Sequence, residues 1–267
     1  MTAVNTHEIH ANPGGEPRMS DVIEKAVHRA IERMHENLAA PLTVEEMART
    51  AMFSKFHFTR IFQRVTGVSP GRFLSALRIQ RAKELLVSTS LNVADISHEV
   101  GYASVGTFST RFSNSVGVSP IRFRRLGGKV SHIPTGRRRH TPVEAMATIR
   151  GDVWAPHTDD PGLVFVGLFP GRIPESLPVT CTVLTGPGPF VLENAPPGTW
   201  YLLAHSVAAE HKNTTHVLDA GERELCVGSH GPIVIRPRTG VRPADLRLAP
   251  IRPVDPPVLL AMLDGSA

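Results

Sequence analysis

SKFHFTRIFQRVTGVSPGRF, residues 54–73, and SVGTFSTRFSNSVGVSPIRF, residues 104–123, are the stretches on which the reading of this chain turns. Set one beneath the other, Ser54 meets Ser104, Phe58 meets Phe108 and Phe62 meets Phe112. Gly67-Val68-Ser69-Pro70 meets Gly117-Val118-Ser119-Pro120, and Arg72-Phe73 meets Arg122-Phe123, every pair 50 residues apart. The segments ahead of them also match: Leu42, Val44 and Met47 answer Leu91, Val93 and Ile96 at a separation of 49, so the second copy holds one extra residue in its turn. Self-similarity at a fixed period marks a repeated supersecondary unit.

Each copy reads as a short helix, a tight turn and a second helix begun by an N-cap serine. Val44 to Thr50 leads in the first copy, and Ser54 caps a helix to about Val65. Val93 to Val100 leads in the second, Gly101 gives the turn its conformational freedom, and Ser104 caps a helix to about Val116. The phenylalanines, four apart, face inward, which turns positions 55, 56, 59, 60 and 63, and 105, 106, 110 and 111, outward or to the edge. Around the repeat, Ile23, Ala26, Val27, Ala30, Ile31, Met34 and Leu38 predict an amphipathic helix with Ser20 or Asp21 as its N-cap. Pro70 to Val87 predicts a rigid connecting helix with Phe73, Leu74, Leu77, Ala82, Leu85 and Leu86 on its inner stripe. Two units on one rigid helix suit two successive major-groove segments, which recur at roughly 34 Å.

Charge follows the same division. The 267 residues carry a net +5, but residues 20–127 hold 15 Lys+Arg against 9 Asp+Glu and residues 128–150 hold 5 against 1, whereas 151–267 hold 8 against 12. A basic first half points to a polyanionic partner. After Arg125 the helical period stops. LGGKVSHIPTGRRRHTPVEA, with Arg137, Arg138 and Arg139 in a row, reads as a basic linker. Beyond it come short runs rich in Val, Ile, Thr and aromatics, bounded by Pro or Gly: MATIRGDVW, LVFVGLF, VTCTVL, FVLEN, TWYLLAHSV, ELCVG, PIVIRP, DLRLAPI and VLLAML. Their spacing predicts an antiparallel sandwich or barrel.

The expected architecture is therefore two-domain, α then β: a tail at 1–19, a seven-helix domain with two helix-turn-helix units at 20–127, a basic linker at 128–145 and an antiparallel β-sandwich at 146–267. The first 19 residues lack a basic segment followed by an apolar core and read as a disordered tail, not a signal peptide. No apolar run approaches the roughly 20 residues of a bilayer span, so no membrane partner is expected. Two cysteines, Cys181 and Cys226, are too few for a disulfide framework and suit a reducing cytoplasm.

Residues 20–127 resemble the DNA-binding domain of the AraC/XylS family of bacterial transcriptional regulators. LTVEEMA (42–48) and residues 54–74 carry the resemblance in the first unit; RAKELLVSTSLNVADISHEVGY (81–102) and TFSTRFSNSVGVSPIRFRR (107–125) carry it in the second. The resemblance implies seven helices and binding to promoter DNA that activates or represses transcription. Position by position, it assigns base contacts to Phe56, Thr59 and Arg60 in the first unit and to Val105, Gly106, Thr110 and Arg111 in the second. Arg60 could donate two hydrogen bonds to guanine O6 and N7, while Thr59 and Phe56 could meet a thymine methyl or a sugar. Lys55, His57, Gln63, Arg64, Ser104 and Thr107 are the phosphate-contact candidates. The second unit departs from the family pattern: Val105-Gly106 stands where many members carry a polar residue, and Thr110 stands where an arginine is usual, with Arg111 one residue later. Specificity is then expected to rest on the first unit and on DNA shape.

Residues 188–207, GPFVLENAPPGTWYLLAHSV, with IRGDVW at 149–154, resemble the transthyretin-like or carboxypeptidase-regulatory-like sandwich. Two roles fit such a domain. One is a ligand sensor with a pocket lined by Trp154, Trp200, Tyr201 and His205; the other is an interaction or dimerisation module. RNA polymerase, a small-molecule effector and a second copy of the chain join promoter DNA as partner candidates. A different reading makes the β half a working enzyme or carbohydrate-binding unit tethered to DNA by the helices. Thirteen histidines raise the question of a metal, but His205, His211, His216, Cys226 and His230 lack the close spacing of a structural zinc site. With no nucleophile motif or phosphate-cradling loop either, neither catalysis nor a cofactor is expected.

Overall fold

A computed structural model describes residues 19–131, 133, 135, 146–155, 162–207, 225–237 and 242–263. The basic run at 137–139, most of the expected linker, the tail before residue 19, and His211 and His216 lie outside the described residues.

Seven helices occupy the first half of the described residues: α1 (Met19–Glu36), α2 (Val44–Thr50), α3 (Lys55–Thr66), α4 (Pro70–Ser88), α5 (Val93–Glu99), α6 (Val105–Val116) and α7 (Pro120–Arg125). Their starts are set by side chains that occupy otherwise unpaired backbone N–H groups. Thr43 and Glu46 form a reciprocal capping box on α2, Asn92 caps α5, and Ser54, Ser104 and Ser119 cap α3, α6 and α7. Ser20 or Asp21 is the expected cap of α1, but both lie inside its first turn, where the Asp21 charge meets the positive end of the helix dipole.

The sequence repeat returns as a packing repeat. Phe58, Phe62 and Phe73 form one aromatic stack with ring centroids 5.4 Å apart at both steps. Phe108, Phe112 and Phe123 form its counterpart at 5.7 and 5.5 Å. All six rings are buried, tilted or edge-on as aromatic quadrupoles prefer.

The second half holds β1 (Lys129–Val130), β2 (Ala147–Trp154), β3 (Val164–Phe169), β4 (Cys181–Leu184), β5 (Gly188–Ala195), β6 (Gly198–Val207), β7 (Leu225–Ile235), β8 (Arg242–Pro243), β9 (Leu246–Arg247), β10 (Ala249–Pro250) and β11 (Met262–Leu263). One sheet runs β10-β7-β6-β3-β4, antiparallel at every pairing. The other runs β5-β2-β8, with β9 also on β2. Here the expectation of purely antiparallel strands fails, because β2 pairs antiparallel with β5 but parallel with both β8 and β9. The chain reaches β8 and β9 only after crossing from β7 in the other sheet, and such a crossover permits parallel pairing where a hairpin does not. Ile149, Val153, Phe190 and Leu192 of this sheet share one core with Val166, Leu168, Leu202 and Ile233 of the other.

Three of the expected strands change character. ELCVG and PIVIRP form one strand, β7, passing through Pro232. Trp200 pairs with Ile233 and Leu202 with His230, so Gly231 and Pro232 together oppose Tyr201 in a bulge, where a missing N–H removes no ladder bond. VLLAML is mostly a strap; only Met262–Leu263 pair, in parallel with Lys129–Val130. The strap has no polar face to offer solvent: Leu259 and Ala261 enter the helical core, and Leu260 packs on Phe165, Phe169 and Leu203 of the five-stranded sheet.

The two halves are thus joined through a buried seam. Lys83, in the middle of α4, donates to the carbonyls of Val258 at 2.9 Å and Leu260 at 3.3 Å. Leu259 and Leu260 donate their N–H groups to Pro174 O, and Ala261 donates to Val116 O. Ile173, Val254, Leu259 and Ala261 belong to the same core as the helices. β3 is consequently buried along its whole length, with Val164, Val166 and Leu168 toward the other sheet and Phe165 and Phe169 toward the seam.

His205 lies buried in the seam, stacked on Phe165 at 5.1 Å. Desolvation, then the nearby Lys83 charge, push its imidazole down to about 4. The fold holds His205 neutral while the unfolded chain binds a proton near pH 6.5. Between pH 6.5 and 4 the unfolded state therefore carries more protons, and stability falls as pH falls, by roughly 3 kcal/mol in all. Denaturant titrations of His205→Leu should show a shallower loss between pH 7 and 4.5 than the parent; an equal loss would remove His205 as its source.

Candidate nucleic-acid interface

α3 and α6 each begin at a capped serine and end at a glycine in the left-handed region, Gly67 (φ 78°) and Gly117 (φ 89°). Between these ends the apolar stripe is buried and the opposite face is open. On α3, Lys55, Phe56, His57, Arg60, Gln63 and Arg64 are exposed and Thr59 is partly so. Phe56 is 82% exposed, beside a turn whose Met52 is 84% exposed. A ring and a thioether held in water are an apolar surface of the kind that meets a thymine methyl or a deoxyribose. The Thr59 hydroxyl donates to the Lys55 carbonyl at 2.9 Å, so it offers a partner a methyl and an acceptor in place of a donor. Lys55 pairs with Glu45 of α2 at 2.6 Å, and this hydrogen bond is the main cause of the lowered Glu45 pKa. His57 meets Phe53 edge-on at 4.9 Å. Arg60 has no hydrogen bond or ion pair among the described residues and presents its full guanidinium fork.

α6 carries less. Gly106 faces open space, with nothing within 4 Å of where a Cβ would stand. Val105 is partly buried, Thr110 is exposed, and Ser104 is occupied in capping Thr107, whose hydroxyl it also meets at 2.9 Å. Arg111, assigned by resemblance to base contact, is turned into the seam: its guanidinium lies 3.3 Å from both the Ser75 hydroxyl and the Glu175 carboxylate. The open face of α6 therefore offers no charged side chain.

The basic residues of this half also divide by role. Arg78 donates to the carbonyls of Leu38 and Ala40, Arg124 to those of Leu86, Thr89 and Leu91, and Arg72 to Glu175. These cations hold the fold together, a role that spacing in the sequence did not reveal. Arg60, Arg64, Arg122 and Arg125 remain exposed.

The four residues expected to line one pocket do not converge. Trp200 packs with the core between the sheets, whereas Tyr201 packs on the seam side of the same strand and His205 stacks there on Phe165. Trp154 is 60% exposed. The alternation of side chains across β6 separates Trp200 from Tyr201 and His205. An apolar cleft does lie elsewhere, between α6 and the seam, edged by Val116, Val118, Ile133, Leu177 and Leu260, but its volume of about 20 Å³ holds roughly one water. Among the described residues no group of three His, Cys, Asp or Glu could hold a metal. No described helix is long and apolar enough to cross a membrane. Burial raises the pKa of both Cys181 and Cys226, away from nucleophilic use.

Two capped helix-turn-helix units thus share one connecting helix. A family model for a helix-turn-helix domain matches residues 47–126. The lactose operon transcription activator of Staphylococcus xylosus is 29% identical over 104 residues, covering 39% of this chain and 37% of that protein. An HTH-type transcriptional regulator of Haemophilus influenzae is 42% identical over 82 residues, covering 31% of this chain and 28% of that protein. An AraC-type DNA-binding structure from Chromobacterium violaceum shares 26% identity over 39% of this chain and 93% of its own, with a TM-score of 0.38. The chain thus spans about a third of the length of the curated relatives it matches. Within its helical half, residues 47–126 match the helix-turn-helix domain model, and this half is similar to the corresponding part of these transcriptional regulators.

The turns of the two units differ at one equivalent position. Met52 (φ 61°) occupies the left-handed conformation that Gly101 (φ 81°) supplies in the second unit. Met52→Gly should raise stability by about 0.5–1 kcal/mol. At Gly101 a Cβ would lie 2.5 Å from the Leu38 carbonyl oxygen and 2.9 Å from the Arg78 guanidinium. Gly101→Ala should cost about 2–3 kcal/mol by displacing that clamp. Thermal unfolding of both variants checks the pair; shifts of the same sign would contradict it.

Proposed function

We propose that this protein is a sequence-specific transcription regulator that reads two successive major-groove segments of double-stranded promoter DNA, one with α3 and one with α6. The observation that carries the reading is the open face of α3, where Phe56, Thr59 and Arg60 stand together on a helix whose opposite face is fully buried. Arg60 reads a guanine, Phe56 and Thr59 read apolar or sugar surface, and Lys55, His57, Gln63 and Arg64 contact phosphates. The uncharged face of α6 follows the groove with Val105, Gly106, Thr110 and the Ser104–Thr107 cap, contributing through fit and DNA shape. Arg111 acts from the seam. The domains of the reading are a DNA-binding half at 20–127 and a regulatory or interaction half, a two-sheet sandwich, at 146–267. An effector, RNA polymerase and a second copy of the chain are partners for that second half.

The test uses the full chain, because Ile173, Leu259 and Ala261 complete the core of the helical half and an isolated fragment would expose it. Duplexes enriched by the protein from a random-sequence pool should share a motif and bind with a steep salt dependence. Arg60→Ala should lose about 1–3 kcal/mol of discrimination at one base pair. Equal losses on selected and random DNA would contradict the base-reading role of Arg60, and a pool without enrichment would refute the proposal.

A further inference from the structure

The segment between β3 and β4, residues 170–180, touches both helix-turn-helix units at equivalent places. A Cβ added to Gly67, the C-cap of α3, would lie 2.7 Å from the Arg172 side chain; one added to Gly117, the C-cap of α6, would lie 3.5 Å from Leu177. These two glycines are the ones the sequence repeat sets 50 residues apart. Between the two contacts, Glu175 ties the start of α4, where the chain leaves the first unit, to α6 of the second. One carboxylate oxygen accepts from Arg72 at 2.6 Å, just after the exit of the first unit; the other accepts from Arg111 at 3.3 Å and from Ser115 at 3.2 Å, both on α6. The Ser176 N–H donates to the Ser115 carbonyl. The Glu175 side chain is only 12% exposed. Ile173 is sunk in the helical core, and the Arg172 guanidinium stacks 5.2 Å over the Tyr201 ring, which anchors the segment to the sheet.

We infer that Glu175 is a positioning residue that sets the relative placement of the two recognition helices, so that the β half determines which spacing between two DNA segments the protein accepts. The inference rests on the two-segment reading above. The contacts fall at the C-terminal ends of α3 and α6, while Phe56, Arg60, Gly106 and Thr110 stay exposed, so the segment braces the helices without covering their open faces. A largely buried carboxylate bound to one guanidinium at the start of α4, directly after the first unit, and to another on α6 of the second resists any change in their separation, because movement would strand a charge in a poorly solvated site. With α6 so poor in polar side chains, its contribution depends on being held in phase with α3.

The test compares the full chain with Glu175→Gln, which keeps side-chain volume, and with Arg172→Ala, which removes the contact at Gly67. The probes are the duplex enriched by the parent protein, the same duplex with one base pair inserted or removed between its two segments, and a duplex keeping the α3 segment alone. The parent should bind the natural spacing at least tenfold more tightly than the altered ones. Glu175→Gln should reduce that ratio to about twofold, binding of the single-segment duplex should stay unchanged, and Arg172→Ala should shift the ratio the same way. An unchanged ratio in both variants would overturn the inference. So would a uniform gain on every duplex, which would make Glu175 a competitor of DNA phosphate, or a uniform loss including the single segment, which would make it a general fold residue. If either variant fails to fold, the other decides by the same criteria. A parent that enriches no duplex refutes the DNA-reading role itself and takes this inference with it.

Discussion

The Lys83 ammonium, buried in the middle of α4 and held by the carbonyls of Val258 and Leu260, is the constraint around which the two halves are arranged. Burial drives its pKa down to about 8, so a charged Lys83 is tolerated only because the strap turns two backbone acceptors toward it. The same two bonds leave the strap's apolar side chains to divide between the helical core and the sheet. Removing the strap would strand the ammonium and uncover apolar surface on both sides. The helices and sheets therefore behave as one packed body across this seam, and the DNA-binding half is not a freely hinged module.

Part of the positive charge of the helical half is taken up inside the structure, at the seam and between the helices themselves. Arg78, Lys83 and Arg124 hold carbonyls, and Arg72 and Arg111 share Glu175, so much of the basic excess works inside the structure. The exposed cations include Lys55, Arg60 and Arg64 on α3 and Arg122 and Arg125 on α7, besides Lys25, Arg29 and Arg33 on α1, Arg49 on α2 and Arg81 on α4. The two reading units are consequently unequal although their cores are near copies. Packing places the same demand on Phe58, Phe62 and Phe73 and on their counterparts, whereas the outward positions carry no such demand and differ between the two copies.

Local and periodic features were legible in the chain from the start. The repeat, the serine caps, the inward phenylalanines and the connecting helix follow from interactions within about twenty residues, where side-chain spacing maps directly onto helix faces. The short β runs were legible as strands for a similar reason. Their pairing partners were not: the parallel contacts of β8 and β9 with β2, the continuity of β7 through Pro232 and the separation of Trp200 from His205 all depend on which distant segment lies alongside. One signal of burial is present in the sequence itself. LVFVGLF has no polar alternate position, which a strand covered on both faces requires.

Residue order thus established two helix-turn-helix units, their caps, their inner aromatic stacks and the identity of the open face on α3, since each of these is settled by neighbours close in sequence. Chain folding over 64 residues was needed to bring Glu175 to Arg111, and over 175 to bring Val258 to Lys83. Ion pairs and buried hydrogen bonds have no period, so nothing in the spacing of those residues announces them. Their geometry separates an arginine that presents its guanidinium to solvent, Arg60, from one that spends it holding the protein together, Arg111.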